Sequence, residues 1–356
     1  MTAGQPPIAA RLSLTGRSVA KMTARVWTYR NGVPGDDAHG TATALNDVGA
    51  ILASGMVVWI DITDADAAQL EAVSACLGLH ELAVEDVLGE HQRPKLDHYG
   101  THMFLVTHAV HVDRQQNELV RSEIDAFVGE NWLVTVRKAS DADAHAAPSV
   151  DMEAARQRAA RSAHLARHGV SFLLYGILDL VVDGYFNAIE AFDEFFEDLS
   201  EQIFSGEPLN ATEQREWFKM RQALVQFHRL AVPLREAVSA LMRHENRTVP
   251  EELYPYFQDV YDHILRVSES TEALRDLVGT IVETNLSLRD YRQNQSMKMV
   301  TSWAAIIAVP TLVTGFYGMN VPFPGAGRTG GVVAAIVLIV ALSAALYFAF
   351  RKRDWL

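Results

Sequence analysis

Polar side chains interrupt a stretch of 21 residues that carries no charge, residues 299–319, and they are the first candidates for chemistry. They are Thr301, Ser302, Thr311 and Thr314. Polar groups at membrane depth are tolerated where they line water, so several copies of this segment around an axis would form a polar path. The alternative is a two-span anchor whose hydroxyl groups bond back to their own helix. The residue types alone leave both interpretations open.

Other patterns resemble known sites but lack the context that those sites need. Residues 325–330 spell GxGxxG, yet they join two apolar runs and open no βαβ unit, which argues against dinucleotide binding. His164 and His168 are four residues apart on a predicted helix without a third ligand, so we expect a solvated face and no zinc site. The histidines of a predicted strand region are expected at edges or interfaces. These are His98, His102, His108 and His111.

Catalytic arrangements are not supported by the sequence. It contains no Ser-His-Asp, Cys-His or Walker-type pattern, which argues against hydrolysis and ATP-driven pumping. We therefore predict that the chain is not an enzyme and uses no organic cofactor.

Two charge-free runs of 21 residues, 299–319 and 330–350, are the elements that would position the polar residues. About 20 apolar residues cross ~30 Å of hydrocarbon as a helix, so both runs are predicted to span a membrane and to contact its lipid. Lys298 precedes the first run and residues 351–353 are basic, whereas the connection 320–329 holds only Arg328. The positive-inside rule then places both termini in the cytoplasm of a multi-pass protein of the cytoplasmic membrane.

The charge balance of the remaining chain is acidic. The whole sequence has a formal net charge of -13, and residues 1–298 carry 27 Lys and Arg against 43 Asp and Glu. Phosphate binding needs a surplus of basic residues, so nucleic acid is not an expected partner. A single cysteine, Cys76, fits a reducing compartment.

The acidic part divides into three predicted segments. Residues 1–20 are predicted to form a flexible N-terminal lead segment. Residues 21–140 read as an α+β domain, an antiparallel meander with helices against it. Its predicted elements are strands at 25–29, 56–62, 102–112, 119–128 and 132–137, and helices from an N-cap at Thr63 to about Leu77 and at 82–88.

Residues 141–298 read as a helical and stalk domain. Long helices are predicted at 172–204, from 211 to about 244, and at about 256–316, where the stalk runs directly into the first membrane span. Apolar residues at alternating spacings of four and three form a heptad seam on the last helix, and a seam needs a partner. The seam consists of Val260, Ile264, Val267, Thr271, Leu274, Val278, Ile281, Asn285 and Leu288.

The end of the first span reads Gly318-Met319-Asn320, and here the sequence resembles the CorA-type two-span magnesium channel family. The family signature is Gly-Met-Asn at the outer end of the first span. Three further matches follow the family's order and extend the resemblance over nearly the whole chain. These are Glu85-Asp86 followed by residues 91–95 (HQRPK), residues 256–263 (YFQDVYDH), and the RKRDWL ending.

The resemblance implies a homopentamer: a cytoplasmic α+β funnel with long stalk helices that continue as the pore lining. Mg²⁺ loses its water reluctantly, so five Asn320 amides could hold the hydrated ion, while Gly318 lets the backbones approach the ring. Met319 is read as packing. In the matching pore wall, Met297 and Val300 are apolar where the wall should be narrow, and they could close it by expelling water or could merely pack between stalks. The full wall is Thr311, Ala308, Ala304, Val300, Met297 and Asn294.

The resemblance also implies a regulatory cation site. A divalent cation, Mg²⁺, would bridge Glu85 and Asp86 of one subunit to Asp259 of the next, because clustered carboxylates repel one another without it. Asp262 and His263 would lie near a second site. Asp179 and Asp183 are weaker candidates.

One departure from the family pattern concerns the residues after the filter. Residues 321–328 (VPFPGAGR) hold no carboxylate, and this loop is more like that of the zinc-transporting branch. Mg²⁺ is the first expectation, with Zn²⁺, Co²⁺ or Ni²⁺ transport open. A membrane potential would drive two charges inward with about 4.6 kcal/mol per 100 mV. A membrane-tethered metal sensor that conducts nothing is the hypothesis from another class.

Overall fold

The structure is a computed structural model that describes residues 24–35, 42–89, 92–138, 151–161, 163–204, 210–243, 248–319 and 328–356. The chain forms two compact units, Met1–Val278 and Gly279–Leu356. The lead 1–20, Asn320 and most of the connection 320–329 lie outside the described residues.

A seven-stranded sheet of order β2-β1-β3-β7-β6-β5-β4 lies in the first unit. Every pair of neighbours is antiparallel except β3 and β7, which are parallel. The predicted meander therefore holds for β5 to β7, is extended by β4, a strand that the sequence did not indicate, and is wrong for the join to the first strands. The strands are β1 (Ala24–Arg30), β2 (Val33–Pro34), β3 (Val57–Thr63), β4 (Lys95–Tyr99), β5 (His102–Asp113), β6 (Glu118–Val128) and β7 (Trp132–Arg137).

Three helices bury one face of this sheet: α1 (Ala42–Ala53), α2 (Ala67–Leu77) and α3 (Glu81–Leu88). Helix α2 begins three residues later than predicted. Asp66, not Thr63, is its N-cap: the Asp66 carboxylate accepts the Gln69 N–H at 2.8 Å, and the Gln69 side chain accepts the Asp66 N–H at 3.0 Å. Thr63 is still the last residue of β3, and its hydroxyl accepts a hydrogen bond from Arg137. The strand register therefore overrides the capping signal.

The other face of the sheet packs against long helices. After α4 (Met152–Arg161) and α5 (Ala163–Ala166), α6 (Val170–Phe204) lies on β5, and α7 (Ala211–Leu241) lies on β6. A capping box between Asn210 and Glu213 starts α7. The α+β fold class and the predicted long helices are confirmed.

Helix α8 (Tyr254–Tyr317) has 64 residues, about 96 Å at ~1.5 Å per residue, and α9 (Thr329–Lys352) follows it. The stalk and the first membrane run form one helix, as predicted. The heptad seam is buried from Val260 to Ile281, with exposures of 0 to 6% within this one chain. Up to Val278, the end of the first unit, the partner of the seam lies in the same chain, so this part of the seam gives no evidence for a second copy.

Three described helices are long and apolar enough to cross a membrane, judged by length and composition. Helix α9 contains the second predicted span, and α8 contains the first as far as Tyr317. The third is α6, but 56% of its apolar window is buried, against 11% for α8 and 0% for α9. The apolar side chains of α6 are accounted for by the core of the first unit, which leaves α8 and α9 as the helices that fit a membrane.

Candidate functional site

One face of the apolar part of α8 carries every predicted pore-lining residue. All six are exposed, and they recur at intervals of three or four residues. They are Asn294, Met297, Val300, Ala304, Ala308 and Thr311. The chain therefore leaves this face of the helix uncovered.

Two positions on the opposite side of the same segment are buried. Ser302 is 0% exposed and Val313 is 6% exposed. Each follows a predicted pore-face residue, Val300 or Thr311, by two positions, a rotation of about 200° at ~100° per residue. The chain therefore packs against α8 at these two positions and leaves the predicted pore face open, together with most of the rest of the segment, of which 11% is buried.

The hydroxyl groups of this helix bond to their own backbone. Ser302 donates to the Lys298 carbonyl at 2.8 Å, Thr311 to that of Ile307 at 3.1 Å, and Thr314 to that of Pro310 at 2.7 Å. This is the arrangement expected of a simple anchor, so the hydroxyl groups by themselves do not require a water-filled path. The contrast between the predicted pore face and the two buried positions opposite it is the stronger observation.

The predicted filter begins directly after α8. The Gly318 N–H donates to the Thr314 carbonyl at 2.8 Å, and a Cβ at this position would lie 3.0 Å from the same oxygen. Gly318, which has no Cβ, thus suits this last turn of the helix. Met319 is 49% exposed. Asn320, which carries the predicted selectivity, lies outside the described residues.

Helix α3 carries the first pair of predicted regulatory ligands. Glu85 is exposed, and Asp86 is half-buried. The Lys95 ammonium lies 2.7 Å from Asp86 and 2.8 Å from Asp97. Burial lowers the pKa of Lys95, but the two carboxylates outweigh burial and raise it, so Lys95 stays charged. The Lys95 ammonium therefore already pairs with Asp86 within the single chain, a contact that the sequence did not indicate.

Helix α8 carries the second group of predicted ligands near its start. Asp259 and Asp262 are exposed, and His263 Nε2 lies 3.7 Å from Asp259 Oδ1, one turn away. The Gln258 amide donates to Asp262 at 2.8 Å. The His263 ring meets the Phe186 ring edge to face, with centroids 5.3 Å apart, which fixes the imidazole beside Asp259.

No complete metal site forms within the described part of one chain. Among those residues, no group of three or more His, Cys, Asp or Glu side chains could hold a metal ion. Asp183 is exposed on α6. The structure brings Asp259 to His263 but does not join Glu85 or Asp86 to them, so a site bridging two subunits stays a prediction.

The remaining histidines do not converge. His98 and His111 are exposed, whereas His102 and His108 are buried. The predicted helix through His164 and His168 is wrong, because α5 ends at Ala166 and His168 lies in the turn that follows. His108 belongs to a buried charged cluster with Glu123. The alternation of side chains between the two faces of each predicted strand could have indicated this contact.

Together, an α+β body, a stalk helix and two apolar C-terminal helices define a two-span membrane protein with a large soluble N-terminal part. The model of the family described as CorA-like Mg²⁺ transporter protein matches residues 54–352. This chain belongs to that family.

Individual relatives agree with this membership. The cobalt/magnesium transport protein CorA of Thermotoga maritima is 30% identical over 304 residues, which cover 84% of this chain and 83% of that protein. The protein of the same name from Methanocaldococcus jannaschii is 23% identical over 301 residues, covering 84% and 92%. The complete structure of the M. jannaschii CorA magnesium transporter has a TM-score of 0.72 at 20% identity, covering 94% of this chain and 98% of that one. The overall fold is therefore shared.

Proposed function

We propose that this chain is a subunit of a homopentameric channel that carries Mg²⁺, and also Co²⁺ or Ni²⁺, into the cytoplasm. The observation that carries the proposal concerns the membrane part of α8. Its uncovered face extends from Asn294 to Thr311, 18 residues or about 27 Å at ~1.5 Å per residue, while Ser302 and Val313 behind it are buried. Such a face fits a pore wall that other copies complete. The names of the relatives support the cation class.

Selectivity would come from the mouth of the pore. Mg²⁺ exchanges its water slowly, so a ring of neutral amide oxygens from Asn320 can hold the hydrated ion without stripping it. Because Gly318 has no side chain, the ends of neighbouring α8 helices could approach one another closely beside this ring. A membrane potential, negative inside, then drives two positive charges inward.

Gating would come from the apolar part of the wall and from the acidic body. Met297 and Val300 are 60% and 66% exposed on the open face, where a ring of such side chains can close by expelling water. Cytoplasmic Mg²⁺ between Glu85 and Asp86 of one subunit and Asp259 of the next would hold the closed ring together, with Asp262, His263 and Asp183 near further acidic contacts.

Zn²⁺ transport is the second candidate, and one observation favours it. Residues 321–328 contain no carboxylate, so no acidic ring attracts hydrated Mg²⁺ to the outer mouth. The third candidate, a tethered sensor, conducts no ion at all.

Uptake by the purified protein in sealed vesicles, with a set potential and each cation alone, tests the proposal. Asn320→Ala should abolish Mg²⁺ uptake while the oligomer still forms. Asn187→Ala, an exposed amide on α6, is the matched control and should leave uptake unchanged. Uptake by Asn320→Ala at the unmutated level would overturn the filter. A preference for Zn²⁺ would favour the second candidate, and no uptake of any cation would favour the sensor.

A further inference from the structure

Four ionisable side chains form a cluster on the sheet face that α1 to α3 cover, and the proposed transport does not use them. They are His108 on β5, Glu123 and Asp125 on β6, and Lys138 just after β7. His108 and Asp125 are 0% exposed, Glu123 is 1% exposed, and the Lys138 side chain is 17% exposed. Burying charged groups is costly unless they are paired, so the contacts of this cluster matter for the structure around it.

Glu123 is at the centre of the cluster. Its carboxylate contacts the Lys138 ammonium and lies 3.6 Å from His108 Nε2. Burial alone would raise the pKa of Glu123, but the neighbouring His108 and Lys138 outweigh burial and lower it to about 2. Glu123 is therefore ionised at any cytoplasmic pH.

The pKa of Asp125 shifts in the opposite direction. Burial, and then the charge of Glu123, raise its pKa well above the usual range. Its carboxyl oxygens lack a hydrogen-bond partner among the described residues, and Lys138 Nζ is 3.7 Å away. Asp125 thus takes up a proton more readily than Glu123, at the same depth in the same cluster.

The cluster reaches the chain that leaves α3. The backbone N–H of Gln92 donates to Glu123 Oε2 at 2.9 Å, and Lys138 Nζ donates to the Gly89 carbonyl at 3.4 Å. Gly89 ends α3, and its own N–H donates to the carbonyls of Glu85 at 2.9 Å and Asp86 at 3.2 Å. Glu123 and Lys138 therefore tie the last turn of α3 to the sheet through Gly89 and Gln92.

We propose that Glu123, held by Lys138, is a positioning residue for the regulatory cation site, because it fixes the turn of α3 that carries Glu85 and Asp86. This inference rests on the proposed function, in which those two carboxylates bind cytoplasmic Mg²⁺. A ligand pair at the end of a short helix loses its orientation when the segment after it moves. Partners that orient metal ligands in this way typically change metal affinity by about 10- to 100-fold when replaced.

Limited proteolysis of the full-length protein against Mg²⁺ concentration tests the inference. Glu123→Gln keeps the shape of the side chain and removes its charge. We expect it to raise the Mg²⁺ concentration that gives half-maximal protection about tenfold. Asp125→Asn is the matched control, since it changes an equally buried acid to which Gln92 does not donate, and it should leave that concentration unchanged.

A second pair of variants tests the contact without entering the buried cluster. Gln92→Pro removes the backbone N–H that Glu123 accepts, whereas Gln92→Ala retains it. Gln92→Pro should therefore shift the Mg²⁺ dependence in the same direction as Glu123→Gln, and Gln92→Ala should not. This pair remains informative even if Glu123→Gln fails to fold.

The outcomes separate the two proposals. Mg²⁺-dependent protection of the unmutated protein, with no shift in Gln92→Pro or in folded Glu123→Gln, would overturn the positioning role alone. A shift in both Gln92 variants, or in Asp125→Asn, would show a general structural effect and would overturn it too. No protection of the unmutated protein by Mg²⁺ would overturn the regulatory site and the positioning role together.

Discussion

Asp61 and Arg137 form a two-pronged ion pair across the parallel strands β3 and β7. Arg137 Nε lies 3.1 Å from Asp61 Oδ1, and Nη2 lies 2.7 Å from Oδ2. Asp61 is only 1% exposed and also accepts the Thr135 hydroxyl at 2.8 Å. The buried carboxylate is fully paired, which joins the two halves of the sheet where no hairpin connects them.

Arg137→Ala should destabilise the protein by about 3 to 5 kcal/mol, because it leaves a buried carboxylate without its cation. Urea unfolding of the detergent-solubilised protein measures the loss. Arg114→Ala is the control: Arg114 and Glu194 also form an ion pair, but their side chains are 61% and 59% exposed. That pair should contribute less than about 1 kcal/mol. Equal losses in the two variants would contradict the structural role of Asp61.

Val300→Ser should let cations leak through the closed channel. In the proposed pentamer, a ring of hydroxyl groups in place of Val300 would hold water that a ring of Val side chains expels. Uptake at high internal Mg²⁺ should therefore rise above that of the unmutated protein. Met299→Ser is the control, because Met299 is the adjacent exposed residue but lies about 100° away around the helix. A similar leak in both variants would count against the gate.

Asp259→Lys should protect the cytoplasmic part from proteolysis without Mg²⁺. The lysine places a permanent positive charge where the cation would sit between like charges, so the closed ring should no longer depend on Mg²⁺. Current at high internal Mg²⁺ should likewise become insensitive to Mg²⁺. Glu269→Lys makes the same charge change at another exposed position of α8. If Asp259→Lys keeps the unmutated Mg²⁺ dependence, the sensor lies elsewhere.

Acidification should loosen α7 from α8 through His228. His228 Nε2 lies 3.3 Å from Arg275 Nη1 and 3.9 Å from Glu272 Oε1, both on α8. Burial, and then Arg275, lower the pKa of His228 below its ordinary 6.5, while Glu272 opposes the shift. The unfolded chain therefore takes up the proton first as the pH falls. The contribution of neutral His228 to the free energy of unfolding is complete above about pH 6.5. It is lost as the pH falls through the pKa that His228 has in the folded protein.

Unfolding curves at several pH values measure this effect. His228→Asn should flatten the dependence below pH 6.5, the ordinary pKa of the imidazole. The control, His111→Asn, removes an exposed imidazole on β5 and should leave the dependence as it is. An unchanged slope in His228→Asn would show that other groups govern the acid response.

The sequence predicted elements well where the signal is local. The seam from Val260 onward predicts α8, because its apolar positions repeat with the helical period. The two membrane spans are predicted from the length of the charge-free runs alone. Local signals failed where pairing with a strand distant in sequence determines where an element ends. Thr63 has the chemistry of an N-cap, yet pairing with Arg137 keeps it in β3 and moves the cap to Asp66.

The pore wall was predicted from the family resemblance, and its role stays a prediction. The period of the helix places Asn294 to Thr311 on one face, and the structure leaves that face open. The sequence did not indicate that Lys95 already neutralises part of the charge of Asp86, or that Glu123 accepts the Gln92 N–H. Both contacts depend on the sheet register, which a single sequence does not contain.

The parallel pairing of β3 with β7 also has a consequence for biosynthesis. Thr63 and its partner Arg137 are 74 positions apart in sequence. At about 5–20 residues per second, the ribosome needs roughly 4 to 15 s to make that interval. During this time β1 and β3 have an unpaired edge, with Val58, Trp59 and Ile60 uncovered, which is the kind of surface that aggregates. Nascent chains stalled before Trp132 should therefore depend on chaperones far more than chains stalled after Lys138.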